Sequence, residues 1–190
     1  MDNADILMVD RIATHVKGHV MSGTRLVAVD GPSGSGKSTL ARALANRLRA
    51  PLIEIDDFVS WANFSGWWPR FEAEVLDPLL DGHDAIYQQR DWKEDEFGDL
   101  LGPWRRVAWA PVVVIEGVTS SRRAVADRLA CGVWIEAPAK IRLERGLARD
   151  GEDHRHLWQE WMAEEEVFFA EDQTRSRADF HISGVSGSPA

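Results

Sequence analysis

Cysteine is almost absent from this sequence of 190 residues, because Cys131 is the only one. A single cysteine excludes an internal disulfide and is typical of proteins from a reducing compartment. The neighbouring letters, "RLA" before it and "GVWIE" after it, favour a buried position at a strand edge over a reactive nucleophile.

Positive charge is also scarce, since 22 lysines and arginines stand against 31 acidic residues, for a net charge of −9. Such a surface repels polyanions, so we expect neither a nucleic acid nor an anionic membrane as a partner. No run of about 18 apolar residues occurs, which argues against a membrane-spanning helix. The first residues, "MDNADILMVDRIATHVKG", carry acidic side chains where a signal peptide would be basic. We therefore expect a soluble cytoplasmic protein.

The chain does contain a regular alternation of short apolar runs and segments with helical periodicity. Hydrophobic residues make up 44% of it, enough for the core of a single domain over 1–190 with a flexible tail at 184–190. The alternation predicts a three-layer α/β fold, a parallel sheet of five strands with helices on both faces. Two further short strands, 85–89 and 106–110, predict a hairpin arm within 59–110. The expected sheet strands are 26–30, 52–56, 112–117, 132–137 and 179–183, and the expected helices are 6–16, 38–49, 72–80, 122–130 and 140–172.

A glycine-rich loop follows the first expected strand, in "VAVDGPSGSGKST". Gly31, Gly36, Lys37 and Ser38 fit the spacing G-x-x-x-x-G-K-[ST] of the P-loop. Without bulky side chains, the backbone N–H groups of such a loop turn inward at the positive end of the next helix and form an anion site. The loop is therefore expected to hold the phosphates of a nucleotide. The residues expected to bind it are Gly31, Ser33, Gly34, Ser35, Gly36, Lys37, Ser38 and Thr39.

Carboxylates end two of the expected strands on the same edge of the sheet as this loop. Lys37 is expected to reach the β- and γ-phosphates and the Ser38 hydroxyl to bind Mg²⁺. Glu116 ends the apolar strand "VVVIEG", where a carboxylate would hold Mg²⁺ through water; the alternative is a solvated residue in a turn. Asp56 and Asp57 follow "LIEI", and a carboxylate there can accept the proton of an attacking hydroxyl. Asp56 is the candidate base, although the sequence does not decide between the two.

Three arginines, Arg142, Arg145 and Arg149, share one face of an expected helix. They predict a lid over about 142–160 that stabilises charge on a transferred phosphoryl group, the alternative being a salt-bridged surface helix. The chain has no N-K-x-D motif for reading guanine and no L-S-G-G signature of an ABC-type ATPase. These absences leave a small kinase as the favoured class of P-loop protein.

Five segments resemble the uridine kinase-like branch of the P-loop nucleoside and small-molecule kinases. They are "DGPSGSGKST", "IDDF", "VVIEG", "RLERGLARD" and "ADFHIS", and the resemblance covers most of the chain. The phosphate loop is highly specific for nucleotide binding, whereas the other segments are less specific.

The resemblance implies transfer of the γ-phosphate of ATP, with Mg²⁺, to a hydroxyl of a small molecule. It implies that Asp56 is the general base, that Arg145 and Arg149 lie near the phosphates, and that the arm binds the acceptor. Val59 stands where uridine kinases have a tyrosine, and "QQRDWKEDEF" replaces their aromatic-rich segment, so the acceptor need not be a pyrimidine nucleoside. The expected catalytic residues are Lys37, Asp56 and Arg145, and the expected acceptor-binding residues are Asp56, Arg90, Trp92 and Arg142.

Two alternatives stay open at this point. Cytidylate kinases share "DGPSGSGKST", and a nucleoside monophosphate kinase would use basic residues of the arm: Arg70, Arg90, Arg105 and Arg106. A regulatory nucleotide-binding protein would instead use the arm to grip another protein. The sequence does not decide between ATP and GTP, and it does not set the oligomeric state.

The nine tryptophans allow an aromatic-walled acceptor pocket, with packing as the alternative for each of them. Trp158 and Trp161 have the spacing of core residues. His154 and His156 are expected at the lid or the surface, and the glutamates at 164–166 on a solvated helix face. The tryptophans near the expected base or the arm are Trp61, Trp67, Trp68, Trp92, Trp104 and Trp109.

Overall fold

A five-stranded sheet forms the centre of the protein, and every neighbouring pair of its strands is parallel. The computed structural model describes residues 3–19 and 23–185, so 186–190 of the expected tail lie outside the described residues. The sheet confirms the expected α/β class. Its strands are β1 (Arg25–Asp30), β2 (Leu52–Glu54), β5 (Val112–Glu116), β6 (Leu129–Glu136) and β7 (Phe180–Ser183). Their order across the sheet is β2-β5-β1-β6-β7.

Successive residues of β1 pack against opposite layers, as the two-residue period of a strand requires. Leu26 and Ala28 join the core on one face, and Val27 and Val29 join the core on the other. The first face is covered by the segment Trp68–Leu80 and by part of a C-terminal helix, the second by two N-terminal helices. The helices are α1 (Asn3–Gly18), α2 (Lys37–Leu48), α3 (Trp68–Phe71), α4 (Asp77–Leu80), α5 (Ala139–Asp150), α6 (Arg155–Asp172) and α7 (Thr174–Arg177), with a π-helical turn between α3 and α4.

The expected hairpin arm is present, but its second strand was placed too late. Strands β3 (Ala85–Arg90) and β4 (Leu101–Val107) pair antiparallel, with Ala85 opposite Val107. The predicted strand 106–110 is therefore wrong for its last three residues. The chain leaves the ladder there because the Trp109 amide donates instead to Asp84 at 2.8 Å.

Two other expected elements also differ from the structure. The strand expected over 52–56 ends at Glu54, and Ile55–Asp57 forms a 3₁₀ turn. The helix expected over 122–130 is a 3₁₀ segment, Arg123–Arg128, after which β6 begins.

The helix expected over 140–172 is divided by Gly151, whose φ of 101° is incompatible with a continuing α-helix. A 3₁₀ turn, Glu152–His154, joins α5 to α6. The interpretation of 59–110 as an acceptor-binding arm and of 142–160 as a lid stays a prediction. None of the helices in 3–19 and 23–185 has the length and apolarity that crossing a bilayer requires.

Candidate active site

The glycine-rich loop makes a tight turn between β1 and α2. Gly34 and Gly36 have φ values of 75° and 102°, in the left-handed region that favours glycine. A Cβ at Gly34 would lie 2.6 Å from the Arg142 carbonyl oxygen, so the residue must be glycine for packing as well. Among the described residues, no protein atom accepts a hydrogen bond from the Gly34 or Gly36 amide. Both amides are available to an anion.

A buried aspartate anchors the start of this loop. The Asp30 side chain is fully buried and accepts hydrogen bonds from the amides of Gly31 at 2.7 Å and of Thr119 and Ser121 at 2.8 Å. Burial raises the pKa of Asp30, and these hydrogen bonds and the Lys37 charge oppose the rise. Asp30 thus ties the phosphate loop to the turn after β5. Its position at the end of an apolar strand was a signal for this role.

A cavity of about 570 Å³ lies at the carboxyl edge of the sheet. It brings together residues of the phosphate loop, the strand ends, the arm and the predicted lid. The predicted site residues that line it are Ser33, Gly34, Gly36, Lys37, Ser38, Thr39, Asp56, Trp92, Glu116, Arg145 and Arg149. The predicted site residues that do not line it are Gly31, Ser35, Arg90 and Arg142.

Glu116 is a buried carboxylate of the cavity with a raised pKa. Its side chain is almost wholly buried at the end of β5, and burial raises its pKa to about 7 against the opposing charge of Lys37. Its Oε2 atom accepts no hydrogen bond from the described residues. A buried oxygen without a partner, beside the Ser38 hydroxyl, is a donor set that fits Mg²⁺.

Two consecutive aspartates after β2 have different surroundings. Asp57 accepts hydrogen bonds of 2.8 Å from Tyr87, Gln89 and Arg105, which fasten the arm to the sheet. The Asp56 side chain lines the cavity and bonds to no described residue. Desolvation by the surrounding protein raises the pKa of Asp56, and the nearby charge of Lys37 opposes this rise. The residue is nevertheless exposed to water in the cavity. The structure therefore separates a structural from a cavity-facing aspartate.

Of the arginines in the predicted lid, Arg145 and Arg149 line the cavity. Arg145 donates to the Gly34 carbonyl at 3.0 Å, and Arg149 forms a bidentate pair with Asp150 at 2.7 and 2.9 Å. Arg142 lies behind the loop and pairs with Glu165 at 3.0 Å. It thus supports the loop from outside the cavity.

Aromatic side chains form another part of the cavity wall, and Trp161 Nε1 donates to Ser33 Oγ of the phosphate loop at 3.0 Å. The Trp61 ring makes edge-to-face contacts with the rings of Trp92, Trp158 and Trp161, whose centroids lie 6.2, 6.1 and 5.7 Å away. Here the predicted lid segment also contacts the arm, because His154 Nε2 lies 2.8 Å from Glu96 Oε2. Some tryptophans line the cavity and others pack in the core, whereas Trp104 and Trp109 are exposed and do neither. A role of the tryptophans in acceptor binding stays a prediction.

Several residues in or behind the cavity have no function assigned from the sequence. Trp158, Trp161 and Glu165 share one face of α6 at spacings of three and four residues, which was the available signal. The expectation of a solvated glutamate run is wrong for Glu165, which is 1% exposed. No local pattern indicated Glu96, because only the folded chain brings it to the lid.

The AAA domain family model matches residues 27–168, which is more than half of the chain. No curated protein sequence matches it significantly. Among solved structures, a possible uridine kinase from Bacillus stearothermophilus superposes with a TM-score of 0.70 at 18% identity, over 92% of this chain and 97% of that one. A Silicibacter protein provisionally described as a fructose transport system kinase gives 0.66 at 19% identity, over 91% and 98%.

A third similar structure is D-glycerate 3-kinase from Cryptococcus neoformans, with a TM-score of 0.54 at 16% identity over 85% of this chain and 88% of that one. At these identities the likeness concerns the fold. The chain belongs to the AAA domain family and has the α/β fold of uridine kinase-like P-loop kinases.

Proposed function

We propose that the protein transfers the γ-phosphate of ATP to a hydroxyl group of a small molecule. The observation that carries this proposal is that one cavity contains the phosphate loop with Lys37, the open carboxylate of Asp56 and the buried carboxylate of Glu116. A protein that only bound a nucleotide would not need a solvent-open carboxylate facing its phosphate site.

The phosphates would lie against the free amides of Gly34 and Gly36 at the start of α2. The side chain of Lys37 is 7% exposed and donates to the Pro32 carbonyl at 3.0 Å, so it is already held across the loop. Ser38 and Glu116 would hold Mg²⁺, which when bound neutralises charge on the phosphates.

The acceptor hydroxyl would lie beside Asp56. As its oxygen bonds to the γ-phosphorus, its proton passes to the Asp56 carboxylate and the bond to the β-phosphate oxygen breaks, releasing ADP. Arg145 and Arg149 would stabilise the charge on the transferred group. Trp92 would contact the acceptor, whereas Arg90 and Arg142 would act through the loops that they support.

The test is the release of ADP from Mg·ATP with and without a panel of nucleosides, sugars and amino alcohols. We expect release only with an acceptor, and its loss in Lys37→Ala. The exposed Lys17 of α1 provides a matched control, because Lys17→Ala removes the same charge far from the loop. ADP release that no acceptor changes would instead favour a regulatory nucleotide-binding protein.

A further inference from the structure

One end of the cavity combines aromatic faces with a carboxylate. We define the acceptor wall as Trp61, Trp92, Glu96, His154 and Trp158, which line the cavity. These residues come from the segment after β2, from the loop of the arm and from the lid, so the wall exists only where these three parts meet.

Two of the three tryptophan rings of this wall are held in place by their own N–H groups. Trp92 Nε1 donates to the Asp56 carbonyl oxygen at 2.7 Å, and Trp158 Nε1 donates to Asp150 at 2.9 Å. Trp61 stands at 87° to Trp92 and at 69° to Trp158. The Arg90 guanidinium already covers one face of Trp92, 5.2 Å from the ring centroid. Trp61 and Trp92 are both only partly buried, and their remaining ring surface lines the cavity. Fixed π faces of this kind attract a cation within about 6 Å.

Glu96 adds negative charge to the wall. Its Oε2 contacts His154, while its Oε1 has no hydrogen-bond partner among the described residues. Asp56 borders the same space. The protein as a whole also carries a net charge of −9, which favours the approach of cations.

The lysine and arginines that line the cavity lie outside the acceptor wall. In the described part of the chain they are Lys37, Arg145 and Arg149. Lys37 and Arg145 donate to carbonyls of the phosphate loop, and Arg149 pairs with Asp150 and lies 5.6 Å from the centroid of the Trp158 ring.

The arginines of the arm are likewise engaged by protein atoms. Arg90 is buried and donates to the backbone carbonyls of Val59, Asp95 and Gly98. To be bound by these arginines, a nucleoside monophosphate or a carboxylate would need to displace their protein partners. The other arginine pairs of the arm are Arg70 with Glu74, Arg105 with Asp57 and Arg106 with Asp84.

We propose that the acceptor is a cationic alcohol, a compound with a hydroxyl group and a protonated amine or quaternary ammonium group. The ammonium group binds at the acceptor wall, against the faces of Trp61 and Trp92 and near Glu96, and the hydroxyl points to Asp56. This proposal rests on the proposed function, because it names the substrate class of that same site.

A matched pair of probes tests the charge. Choline and 3,3-dimethylbutan-1-ol have nearly the same shape and hydroxyl, but only choline is charged. Titration of the protein with each, in the presence of Mg·ADP, is followed by tryptophan fluorescence and calorimetry. We expect choline to bind about tenfold more tightly or better. Equal binding, tighter binding of the neutral alcohol, or no binding of either probe overturns the proposal.

Three variants test whether the preference for choline arises at the acceptor wall. Glu96→Gln and Trp61→Leu should each reduce the preference for choline by about threefold or more, while Glu94→Gln should leave it unchanged. Glu94 belongs to the same loop but does not line the cavity and is exposed. Unfolding curves of each variant verify that the fold is retained. A preference that all three variants keep would place the cation elsewhere and overturn the assignment.

The two proposals fail in different ways. ADP release stimulated by neutral nucleosides or sugars, together with equal binding of the two probes, would keep the kinase and remove the cationic acceptor. A preference for choline without phosphoryl transfer to any alcohol would keep the binding site and remove the kinase.

Discussion

The carboxylate of Glu165 accepts a hydrogen bond of 2.7 Å from the amide of Ser33, which joins helix α6 to the phosphate loop. The same carboxylate accepts from Trp161 Nε1 at 2.9 Å and pairs with Arg142 at 3.0 Å. One buried side chain therefore connects α5, α6 and the loop. A shift of α6 relative to the phosphate loop would lengthen or break this bond to a loop amide.

Replacing Glu165 should be costly, because three donors lose their acceptor at once. Glu165→Ala leaves Arg142, itself largely buried, without a charge partner, and we expect a loss of about 3 kcal/mol or more in the free energy of unfolding. Urea denaturation measures this loss. Glu164→Ala is the matched control, because Glu164 is the exposed neighbour in the same run and should change stability by less than about 0.5 kcal/mol. Equal losses in the two variants would contradict the structural role.

The two aspartates after β2 should respond differently to substitution. In Asp56→Asn the fold and nucleotide binding should persist while phosphoryl transfer falls by about two orders of magnitude, because only the proton acceptor is removed. In Asp57→Ala, Tyr87 and Arg105 lose their partner, and we expect a loss of about 2 kcal/mol in stability.

Turnover and urea denaturation, measured on both variants, separate the two roles. An Asp57→Ala protein with unchanged stability, or an Asp56→Asn protein with wild-type turnover, would reverse the assignment.

The sequence predicts the parts of this protein whose physics is local. The phosphate loop is readable because glycine spacing and the strand before it set the backbone, and Glu116 because it ends an apolar run. The pairing of β4 depends on tertiary contacts, whereas the helix break at Gly151 has a local signal in the glycine itself, which the prediction of one helix over 140–172 does not use. Glu96 and His154 are far apart in sequence and meet only through folding. Local patterns carry no record of such a contact.

Cys131 should be unreactive in the folded protein. It is 1% exposed within β6, and burial raises the pKa of its thiol to about 12. Because the thiolate is the reacting species, we expect a disulfide reagent at pH 8 to label native protein about a thousandfold more slowly than a free thiol. In denaturant the single thiol should react fully. Rapid labelling of native protein would show that β6 opens or that the site is exposed.

Glu116 should make stability fall as the pH rises. Its pKa of about 7 in the folded protein exceeds the ordinary value of 4.5, so between these values the folded state keeps a proton that the unfolded chain has lost. Unfolding then releases a proton, and the free energy of unfolding decreases with pH. The stabilisation is present below pH 4.5 and is lost as the pH passes 7.

The comparison with Glu116→Gln isolates this contribution from that of other carboxylates. Hydrogen bonds from Arg175 and Arg177 lower the pKa values of Glu136 and Asp172, so these two groups make stability rise with pH. Denaturation is measured at pH 5 and pH 8 with a chelator present, so that no divalent metal binds either protein. Between these values, wild type should lose about 2 kcal/mol more than the glutamine variant, since one pKa unit corresponds to about 1.4 kcal/mol. If the stabilities of wild type and Glu116→Gln changed equally with pH, Glu116 would be ionised in the folded protein across this range. Its buried oxygen would then be hydrated, which would contradict the burial argument.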